Sequence, residues 1–543
     1  MPHTHTQLLL RDQARTRLLA GATALAEALR ITLGPRSKSV LIGRGWEGPL
    51  VCNDGVTIAR QVSLADPVED LGARMLRQAA TRTGDAVGDG TTTSTLLAHA
   101  MYAEGLRNVV AGASAIDLKR GLDAGVRAGV EALARLSRPV AQRKETVQVA
   151  TIAAHNDAAI GELVAEAMAR VGADGTLSVE EAKGTETVLE VVEGLQFERG
   201  YLSPYFITDP ARMEAVLEDV AVLLLERRIS TVTDLIPLLE QAMKAGRALL
   251  IVAEDLDPEV LATLVVNKLR GTIACAAVKA PGYGERRKDE LEDIATLCGG
   301  KALTEDLGLR LSNVALSDLG LVRRALITKE NTTLIGGAGS KEAIAGRAAE
   351  LRRRIEQAGS DYERETLQKR LAKLAGGVAV IRAGAHTEAE MKARKEALDD
   401  AISATKAAVA EGIVPGGGVA LLRVADALRA QEPKFSGDEL TGLRILERAL
   451  EVPVRQIAEN SGADAGVVLA ELRAGAPALG YDAARGEYVD MLAAGIVDPT
   501  KVVRTALENA VSVAGVLLLA EGTLTEVEEP RAHAHARDGE LED

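Results

Sequence analysis

The chain is organised around one short stretch, Gly84-Asp85-Ala86-Val87-Gly88-Asp89-Gly90-Thr91-Thr92-Thr93. Three glycines within seven residues allow bare backbone to approach a ligand closely, because glycine has no side chain. Three threonines follow, and apolar residues then recur with a helical period. The stretch therefore reads as a loop that leads into a helix N-terminus. Free N–H groups and the positive end of the helix dipole make such a position suitable for phosphate.

Asp89 stands between two glycines, so packing does not require its carboxylate. A carboxylate beside phosphate-binding amides suggests Mg²⁺, which proteins hold through about one or two carboxylates together with phosphate oxygens. Clusters of Gly, Asp and Thr are also typical of ordinary tight turns before N-capped helices. These residues alone therefore leave open both a phosphate and magnesium site and an ordinary turn.

The composition excludes several classes of protein. With 543 residues, the chain is long enough for about two to four domains. The net charge of −14 argues against nucleic acid or an anionic membrane as a main partner. The three cysteines are widely spaced and form no C-x-x-C motif, which argues against a disulfide framework and fits a reducing cytosol. The sequence predicts neither a secretory signal nor a membrane span, since no run reaches about 18 apolar residues.

The common motifs of nucleotide and hydrolytic sites are absent from the sequence. It contains no G-x-x-x-x-G-K-[ST], no H-E-x-x-H and no G-x-S-x-G. If the chain handles ATP, it does so without a Walker loop.

Further strings along the chain occur together, and in the same order, in one protein family. They are Thr32-Leu33-Gly34-Pro35, Asp54-Gly55-Val56, Ala65-Asp66-Pro67, Arg199-Gly200-Tyr201-Leu202-Ser203-Pro204-Tyr205-Phe206, Ala262-Thr263-Leu264-Val265-Val266-Asn267, Lys279-Ala280-Pro281-Gly282-Tyr283-Gly284, Leu374-Ala375-Gly376-Gly377-Val378-Ala379-Val380, Gly416-Gly417-Gly418-Val419-Ala420 and Asp498-Pro499-Thr500-Lys501. Each string is weak evidence alone, but together with Gly88–Thr93 they are specific. On these strings the chain resembles the group I chaperonins, the 60 kDa GroEL-type family.

The resemblance implies a site for ATP and Mg²⁺, with K⁺ as a further cation. The implied ATP-binding residues are Thr32, Leu33, Gly34, Pro35, Asp54, Gly55, Asp89, Gly90, Thr91, Thr92, Thr93, Gly417, Asp482, Ala483, Ile496 and Asp498. In the family, the residue matching Asp89 holds the metal and the residue matching Asp54 lies close to the terminal phosphate. The residue matching Asp400 activates the water that attacks the γ-phosphate. The resemblance therefore makes Asp400 and Asp54 the catalytic carboxylates.

The residues themselves give a plainer reading of both carboxylates. Asp54 lies in Asn53-Asp54-Gly55, a hairpin-like turn. Asp399 and Asp400 are adjacent in a predicted helix over 388–411, so they point about 100° apart, and on sequence alone both belong to a solvated face. Only the family match distinguishes Asp400. The buried stripe of that helix is predicted to be Met391, Leu398, Ile402, Thr405 and Val409.

The sequence departs from the family's pattern at three places. Asn53 stands where many members carry Lys, which removes a cation near the phosphates. Asp482 stands where members often carry Asn at the adenine contact. The residues from Glu526 to Asp543 are predicted to be a disordered tail, and they contain His533 and His535 in place of the family's Gly-Met repeats. A solvated tail is the simpler interpretation of this H-x-H pair, and a metal site the alternative.

The two halves of the predicted nucleotide site lie far apart in sequence, so the middle of the chain is an insertion. The expected fold is multidomain, with α and α/β parts as in GroEL. A helical equatorial ATP-binding domain would use 1–137 and 411–543, and a small intermediate hinge domain would use 138–193 and 377–410. An inserted α/β apical domain, the binding domain for substrate and co-chaperonin, would use 194–376. An amphipathic helix is predicted over about residues 8 to 33.

The segment 194–376 alternates strand-like runs with helices, which favours an α/β layer with parallel strands. In its helix over 258–270, apolar residues span roughly 240° of the helical wheel, more than the stripe of about 100° that one sheet covers. A third layer would bury the surplus; an exposed patch would bind other proteins. Aromatic residues on a nearby loop suggest recognition. The predicted binding residues for substrate and co-chaperonin are Tyr201, Ser203, Tyr205, Phe206, Ile236, Leu239, Leu261, Val265, Val266 and Asn267.

Three functions remain open at this point. The first is an ATP-dependent chaperonin that captures non-native polypeptides and folds them in a closed chamber, built as two stacked heptameric rings with a GroES-type co-chaperonin. The second is a metabolic ATP-using enzyme, although the 194–376 segment shows no further acid/base or nucleophile constellation. The third is a divergent paralogue that acts as a binding scaffold in a smaller oligomer.

Overall fold

The computed structural model describes residues 4–43, 50–172, 175–182, 184–210, 212–304 and 311–528. His533 and His535 lie outside these residues. The chain divides into two compact units. The first unit contains Met1–Val164 and Glu396–Asp543, and the second unit contains Ala165–Lys395. The three-domain division predicted from the sequence stays a prediction.

The first unit is mainly helical. Its helices are α1 Arg11–Arg30, α2 Gly55–Gln61, α3 Pro67–Val87, α4 Thr91–Val110, α5 Ala115–Leu136, α6 Arg143–Ala153, α14 Val419–Arg429, α15 Gly437–Ala449, α16 Val452–Ser461, α17 Ala465–Ala474, α18 Met491–Ala494 and α19 Thr500–Leu519. Two further helices, α7 Ala158–Val171 and α13 Glu388–Glu411, continue across the boundary between the units. The strands of this unit form antiparallel pairs: β1 Thr4–Leu10 with β18 Gly522–Glu528, β2 Val40–Ile42 with β3 Leu50–Cys52, β14 Ile413–Pro415 with β17 Val497–Pro499, and β15 Leu479–Asp482 with β16 Glu487–Asp490.

Small residues let the long helices of the first unit pack closely. A Cβ at Gly21 of α1 would collide with the carbonyl oxygen of Glu69, and a Cβ at Gly72 of α3 would collide with that of Leu18. Because the chain has few aromatic residues, the core of this unit is mainly aliphatic, and its helices pack closely against one another. By length and composition α19 is apolar enough to cross a membrane, yet 61% of its apolar window is buried, and it packs against α3, α4 and α5. We therefore interpret it as a core helix.

The second unit contains two sheets and the remaining helices. The larger sheet has the strand order β6 Gly194–Phe197, β12 Thr332–Gly337, β11 Gly320–Ile327, β7 Ala215–Leu225, β8 Ala248–Ala253 and β9 Cys275–Lys279, with β10 Ala302–Leu303 beside β7. The smaller sheet has the order β4 Thr176–Glu181, β13 Val378–Ala383 and β5 Val188–Val192. The helices are α8 Ile236–Lys244, α9 Pro258–Leu269, α10 Glu285–Cys298, α11 Lys341–Gln357 and α12 Asp361–Gly376. The larger sheet is mixed rather than all parallel, since β11 pairs antiparallel with β7.

Four local predictions from the sequence are wrong. Residues 8–10 belong to β1, and α1 begins only at Arg11. Residues 526–528 belong to β18 rather than to a disordered tail, because this strand pairs with the other end of the chain. Asn53-Asp54-Gly55 is a helix start, with Asp54 as the N-cap of α2. Val409 is 40% exposed and so falls outside the buried stripe of α13.

Candidate functional site

A cavity of about 310 Å³ in the first unit is formed by turns and helix ends from both parts of the chain. It is lined by every residue predicted for nucleotide binding, namely Thr32, Leu33, Gly34, Pro35, Asp54, Gly55, Asp89, Gly90, Thr91, Thr92, Thr93, Gly417, Asp482, Ala483, Ile496 and Asp498. Asp400 also lines it, whereas the adjacent Asp399 is not among the lining residues. The fold thus brings together residues more than four hundred positions apart.

The Gly-Asp-Gly loop joins α3 to α4 through two left-handed glycines. Gly88 ends α3 with φ 72°, and Gly90 is the N-cap of α4 with φ 78°. A Cβ at Gly90 would lie 2.8 Å from Cγ1 of Val502, so both the backbone angle and the space favour glycine. No side chain caps α4. The first amides of this helix are therefore left for a ligand.

A second helix N-terminus at the same cavity is built in the same way. α14 has Gly418 as its N-cap, with φ 80° and no side-chain hydrogen bond. Side-chain capping varies among the helices of the first unit: the side chains of Asp66 and Ser114 accept amide hydrogens at the starts of α3 and α5, whereas α1, α15, α16 and α19 also lack a side-chain cap. What distinguishes α4 and α14 is that both begin at a left-handed glycine in the lining of one cavity, where their amides and helix dipoles are suited to negative charge.

Side-chain contacts join the turn after α1 to the start of α4 and to α16. The hydroxyls of Thr32 and Thr92 lie 3.2 Å apart, and the amide of Asn460 donates hydrogen bonds to the carbonyl oxygens of Arg30 and Leu33, at 2.9 and 2.8 Å. Gly34 has φ 91°, which only glycine adopts without strain. Asn460 was not predicted from the sequence, because it lies more than 400 residues from the turn along the chain and no local pattern connects the two.

Four carboxylates of the cavity lining, those of Asp54, Asp89, Asp400 and Asp498, are linked by electrostatic repulsion. Burial raises the pKa of Asp400 well above its usual range, and the charges of Asp89 and Asp54 add to the shift. Burial also raises the pKa of Asp89, although the Gly90 amide and the nearby His155 oppose that shift. Burial and the charge of Asp89 raise the pKa of Asp498 to about 7. Mutual repulsion of this kind favours a bound cation.

The carboxylate of Asp54 is held by the start of α2. It accepts the amide hydrogens of Val56 and Thr57, at 3.3 and 2.7 Å. A Cβ at Gly55 would lie within 2.8 Å of the hydroxyl oxygens of Thr91 and Thr92, so glycine allows this turn to approach the loop before α4. The cap therefore fixes a carboxylate beside the candidate phosphate-binding amides.

The donor set fits a magnesium ion that shares its ligands with phosphate. Among the described residues, no group of three or more His, Cys, Asp or Glu side chains could hold a metal by itself. Mg²⁺ commonly takes one or two protein carboxylates and completes its shell with water and phosphate oxygens. Asp89, in the loop between the end of α3 and the uncapped start of α4, is suited to that role.

Part of the cavity lining is apolar. Ala483 and Met491 are buried, and the predicted contact Ile496 packs against the buried cluster that contains Met491. Asp482 uses Oδ1 to accept the amide hydrogens of Ala484 and Arg485, at 3.0 and 3.2 Å. Its carboxylate thereby holds the turn between β15 and β16. Lining residues that sequence reasoning missed include Ile152, His155, Asn156, Ile457, Pro453 and Val502.

The predicted binding residues of the second unit divide between core and surface. In α9, Val260 and Leu264 are buried, whereas Val266 is 43% exposed and Leu269 is 61% exposed. Ile236 and Met243 of α8 and Tyr205 are also exposed. The short helices Pro204–Phe206 and Val232–Asp234 both contact α9, and the latter also contacts α8. We call this set of exposed residues, Tyr205, Ile236, Met243, Val266 and Leu269, the α8–α9 surface.

Other predicted residues of this region support the surface rather than form it. Phe206 is completely buried, so its assignment to the binding surface is corrected to the core. Ser203 is buried, and its hydroxyl accepts the amide hydrogen of Tyr205. Asn267 donates a hydrogen bond to the carbonyl oxygen of Thr263. Half-buried residues packed against the core are Tyr201, Leu239, Leu261 and Val265.

Comparison with known proteins identifies the family. Residues 25–527 match the model of the TCP-1/cpn60 chaperonin family. A relative from Bradyrhizobium diazoefficiens, Chaperonin GroEL 5, is 62% identical over 527 residues, which cover 97% of each chain. The chain therefore belongs to the chaperonin family, as a group I chaperonin of the 60 kDa class, which makes it an ATP-binding chaperone of protein folding.

Proposed function

We propose that the chain binds MgATP in the cavity of the first unit and hydrolyses it to drive the capture and release of non-native polypeptides. The observation that carries this proposal is the pair of uncapped helix N-termini, α4 and α14, at one cavity with Asp54, Asp89, Asp400 and Asp498. The amides suit a polyphosphate, and the carboxylates suit a cation and a general base.

Each carboxylate has a distinct proposed role. Asp89 holds Mg²⁺, which supplies positive charge to offset the phosphates and the neighbouring carboxylates. Asp400 accepts the proton of the attacking water, and its pKa, raised by burial and by Asp89 and Asp54, is suited to a base that works near neutral pH. Asp54, fixed by its two amide contacts, positions the water near the terminal phosphate. K⁺ stays a prediction from the resemblance.

The α8–α9 surface is the proposed site for polypeptide capture and for a GroES-type co-chaperonin. Aliphatic residues such as Val266 and Leu269 are exposed on this surface, although a helix that packs on a sheet requires apolar residues only on its buried face. This exposure supports the proposal. Flexible aliphatic contacts bind chains of many sequences, since they make no demand for matched hydrogen bonds.

The proposed assembly is two stacked heptameric rings in the cytoplasm, with equatorial, intermediate and apical domains at the boundaries predicted above. The mass of the particle in solution, with and without ATP, tests it. Fourteen copies of a 57.0 kDa chain give about 800 kDa. A stable dimer under both conditions would instead support the smaller-oligomer scaffold, for which Asn53 in the cavity wall is the observation in favour.

ATP-dependent refolding tests the function itself. A chemically denatured enzyme is diluted into the purified chain with ATP, or with ATP and a GroES-type co-chaperonin, and its recovered activity is measured. The proposal expects capture without ATP and recovery with it. If the captured polypeptide stayed bound while ATP was hydrolysed, hydrolysis in the first unit would not drive release from the second unit. That outcome would contradict the proposal.

A further inference from the structure

The charges that line the nucleotide cavity are strongly unbalanced. Five aspartates face it, namely Asp54, Asp89, Asp400, Asp482 and Asp498. Within the part of the chain that the structure describes, no Lys or Arg lines it. His155 is the one lining side chain in that part able to carry a positive charge. In the described part of this site, the groups able to attract the negatively charged phosphates of ATP are therefore the helix amides and the imidazole of His155.

His155 is held at the cavity by an unusual turn between α6 and α7. His155 has φ 55° and Asn156 has φ 67°, so two consecutive residues other than glycine are left-handed. The amide of His155 donates to the carbonyl oxygen of Ile152 at 3.2 Å, and the amide of Asn156 donates to that of Thr151 at 2.8 Å. These contacts fix the backbone while the side chain of His155 stays exposed.

The turn itself does not require an imidazole. Asn adopts left-handed backbone angles as readily as His, and Asn156 does so at the next position. The charge of His155 acts on Asp89, the carboxylate proposed for Mg²⁺, and opposes the burial that raises the pKa of Asp89. Asn53 also lines the cavity, without a charge.

We propose that the imidazole of His155 contacts the phosphate chain of bound ATP and supplies the cationic contact that the rest of the cavity lacks. This inference rests on the proposed ATP function. His155 lines the same cavity as Asp89 and lies near enough for its charge to act on that carboxylate, which directly precedes the N-cap of α4. His155 therefore favours the nucleotide with the longer phosphate chain, ATP over ADP.

The test is the affinity of the assembled protein for Mg²⁺ with ADP and with a non-hydrolysable ATP analogue, measured by titration calorimetry. His155→Asn keeps the left-handed turn and removes the charge. We expect it to weaken binding of the analogue about tenfold, the size of one charge-assisted contact, and binding of ADP by about threefold or less. His386→Asn, at an exposed histidine of the second unit, should change neither affinity.

A second variant restores a positive charge from another position in the cavity lining. Asn53→Lys in the His155→Asn background should recover most of the lost affinity for the analogue. The melting temperature without nucleotide should match that of the unchanged protein, which separates a lost contact from a damaged fold.

Equal losses for both nucleotides, or no loss for either, would overturn the role of His155 while leaving the proposed ATP site intact. Absence of nucleotide binding by the unchanged protein would instead contradict the proposed function itself, so the two failures are distinguishable.

Discussion

The cavity of the first unit and the α8–α9 surface of the second unit differ in how their residues are held. In the cavity, side chains and amides are fixed by caps, left-handed glycines and long-range hydrogen bonds, such as those of Asp54 and Asn460. On the α8–α9 surface, aliphatic groups project without polar partners from helices whose other face is buried at Val260 and Leu264. The cavity depends on geometry, whereas the surface depends mainly on exposed apolar area.

This difference predicts how each region responds to substitution. A fixed polar site should lose its function when one atom group is removed. A surface without directional contacts should lose it gradually, in proportion to the apolar area removed. The following predictions test the difference.

Asp89→Ala is expected to have the largest effect. It removes the carboxylate proposed for Mg²⁺ at the centre of the loop between α3 and α4, and we expect MgATP binding or hydrolysis to be abolished. Steady-state ATP hydrolysis and nucleotide binding across a Mg²⁺ series provide the measurement. Hydrolysis at the rate of the unchanged protein would refute the metal role. Asp85→Ala, at an exposed position of α3 just before this loop, is the matched control.

Asp400→Ala should slow hydrolysis by about 10²–10⁴-fold, the usual contribution of a general base, with little change in nucleotide affinity. The phosphate-binding amides of α4 and α14 remain in this variant. Asp399→Ala is the control, since it projects about 100° away on α13 and does not line the cavity. Single-turnover hydrolysis decides between them: equal losses in both variants, or a loss only at Asp399, would show that the alignment of α13 is wrong.

Two positions on α9 separate core from surface in the second unit. Leu264→Ala should destabilise the fold by about 2–5 kcal/mol, because Leu264 is buried. Val266→Ser should change stability by only about 0.5 kcal/mol or less, because Val266 is partly exposed, yet it should weaken capture of unfolded chains. Thermal unfolding and a capture assay provide the two measurements. A large fall in melting temperature for Val266→Ser, with unchanged capture, would place Val266 in the core.

A smaller effect concerns pH and only the first unit. Burial lowers the pKa of His99 to about 4, and its ring lies 3.0 Å from the hydroxyl of Thr23. The stability that depends on neutral His99 is therefore complete above pH 6.5 and is lost as the pH falls towards 4. Between pH 7 and pH 5 we expect the free energy of unfolding to fall by about 1–2 kcal/mol more in the unchanged protein than in the His99→Gln variant. Hydrogen exchange of amides in α4 measures it, with amides of α9 as an internal reference; equal pH dependence in both variants would contradict the assignment.

The sequence was most informative where chemistry is local. The loop Gly88–Thr93 could be placed before a helix because glycine, hydroxyl and apolar residues follow one another directly. The surplus apolar arc of α9 likewise followed from helical period, and its exposure at Val266 and Leu269 agrees with the patch interpretation. Both features depend on neighbours within a few turns of helix.

The sequence was least informative where distant segments decide. The pairing of β1 with β18 joins the two ends of the described chain, and nothing near residue 8 signalled it. Phe206 resembled a recognition residue because it follows Tyr205 on a loop, but it packs in the core. The left-handed turn at His155 had no local signature, since neither residue of the pair is glycine.

The most direct test of the account applies one pair of assays to Asp400→Ala and Val266→Ser: single-turnover ATP hydrolysis and capture of a denatured polypeptide. The account predicts opposite losses. Asp400→Ala should capture normally and fail to hydrolyse ATP, and Val266→Ser should hydrolyse ATP normally and capture less. If each variant lost both activities to the same extent, the assignment of chemistry to the first unit and of capture to the second would be contradicted.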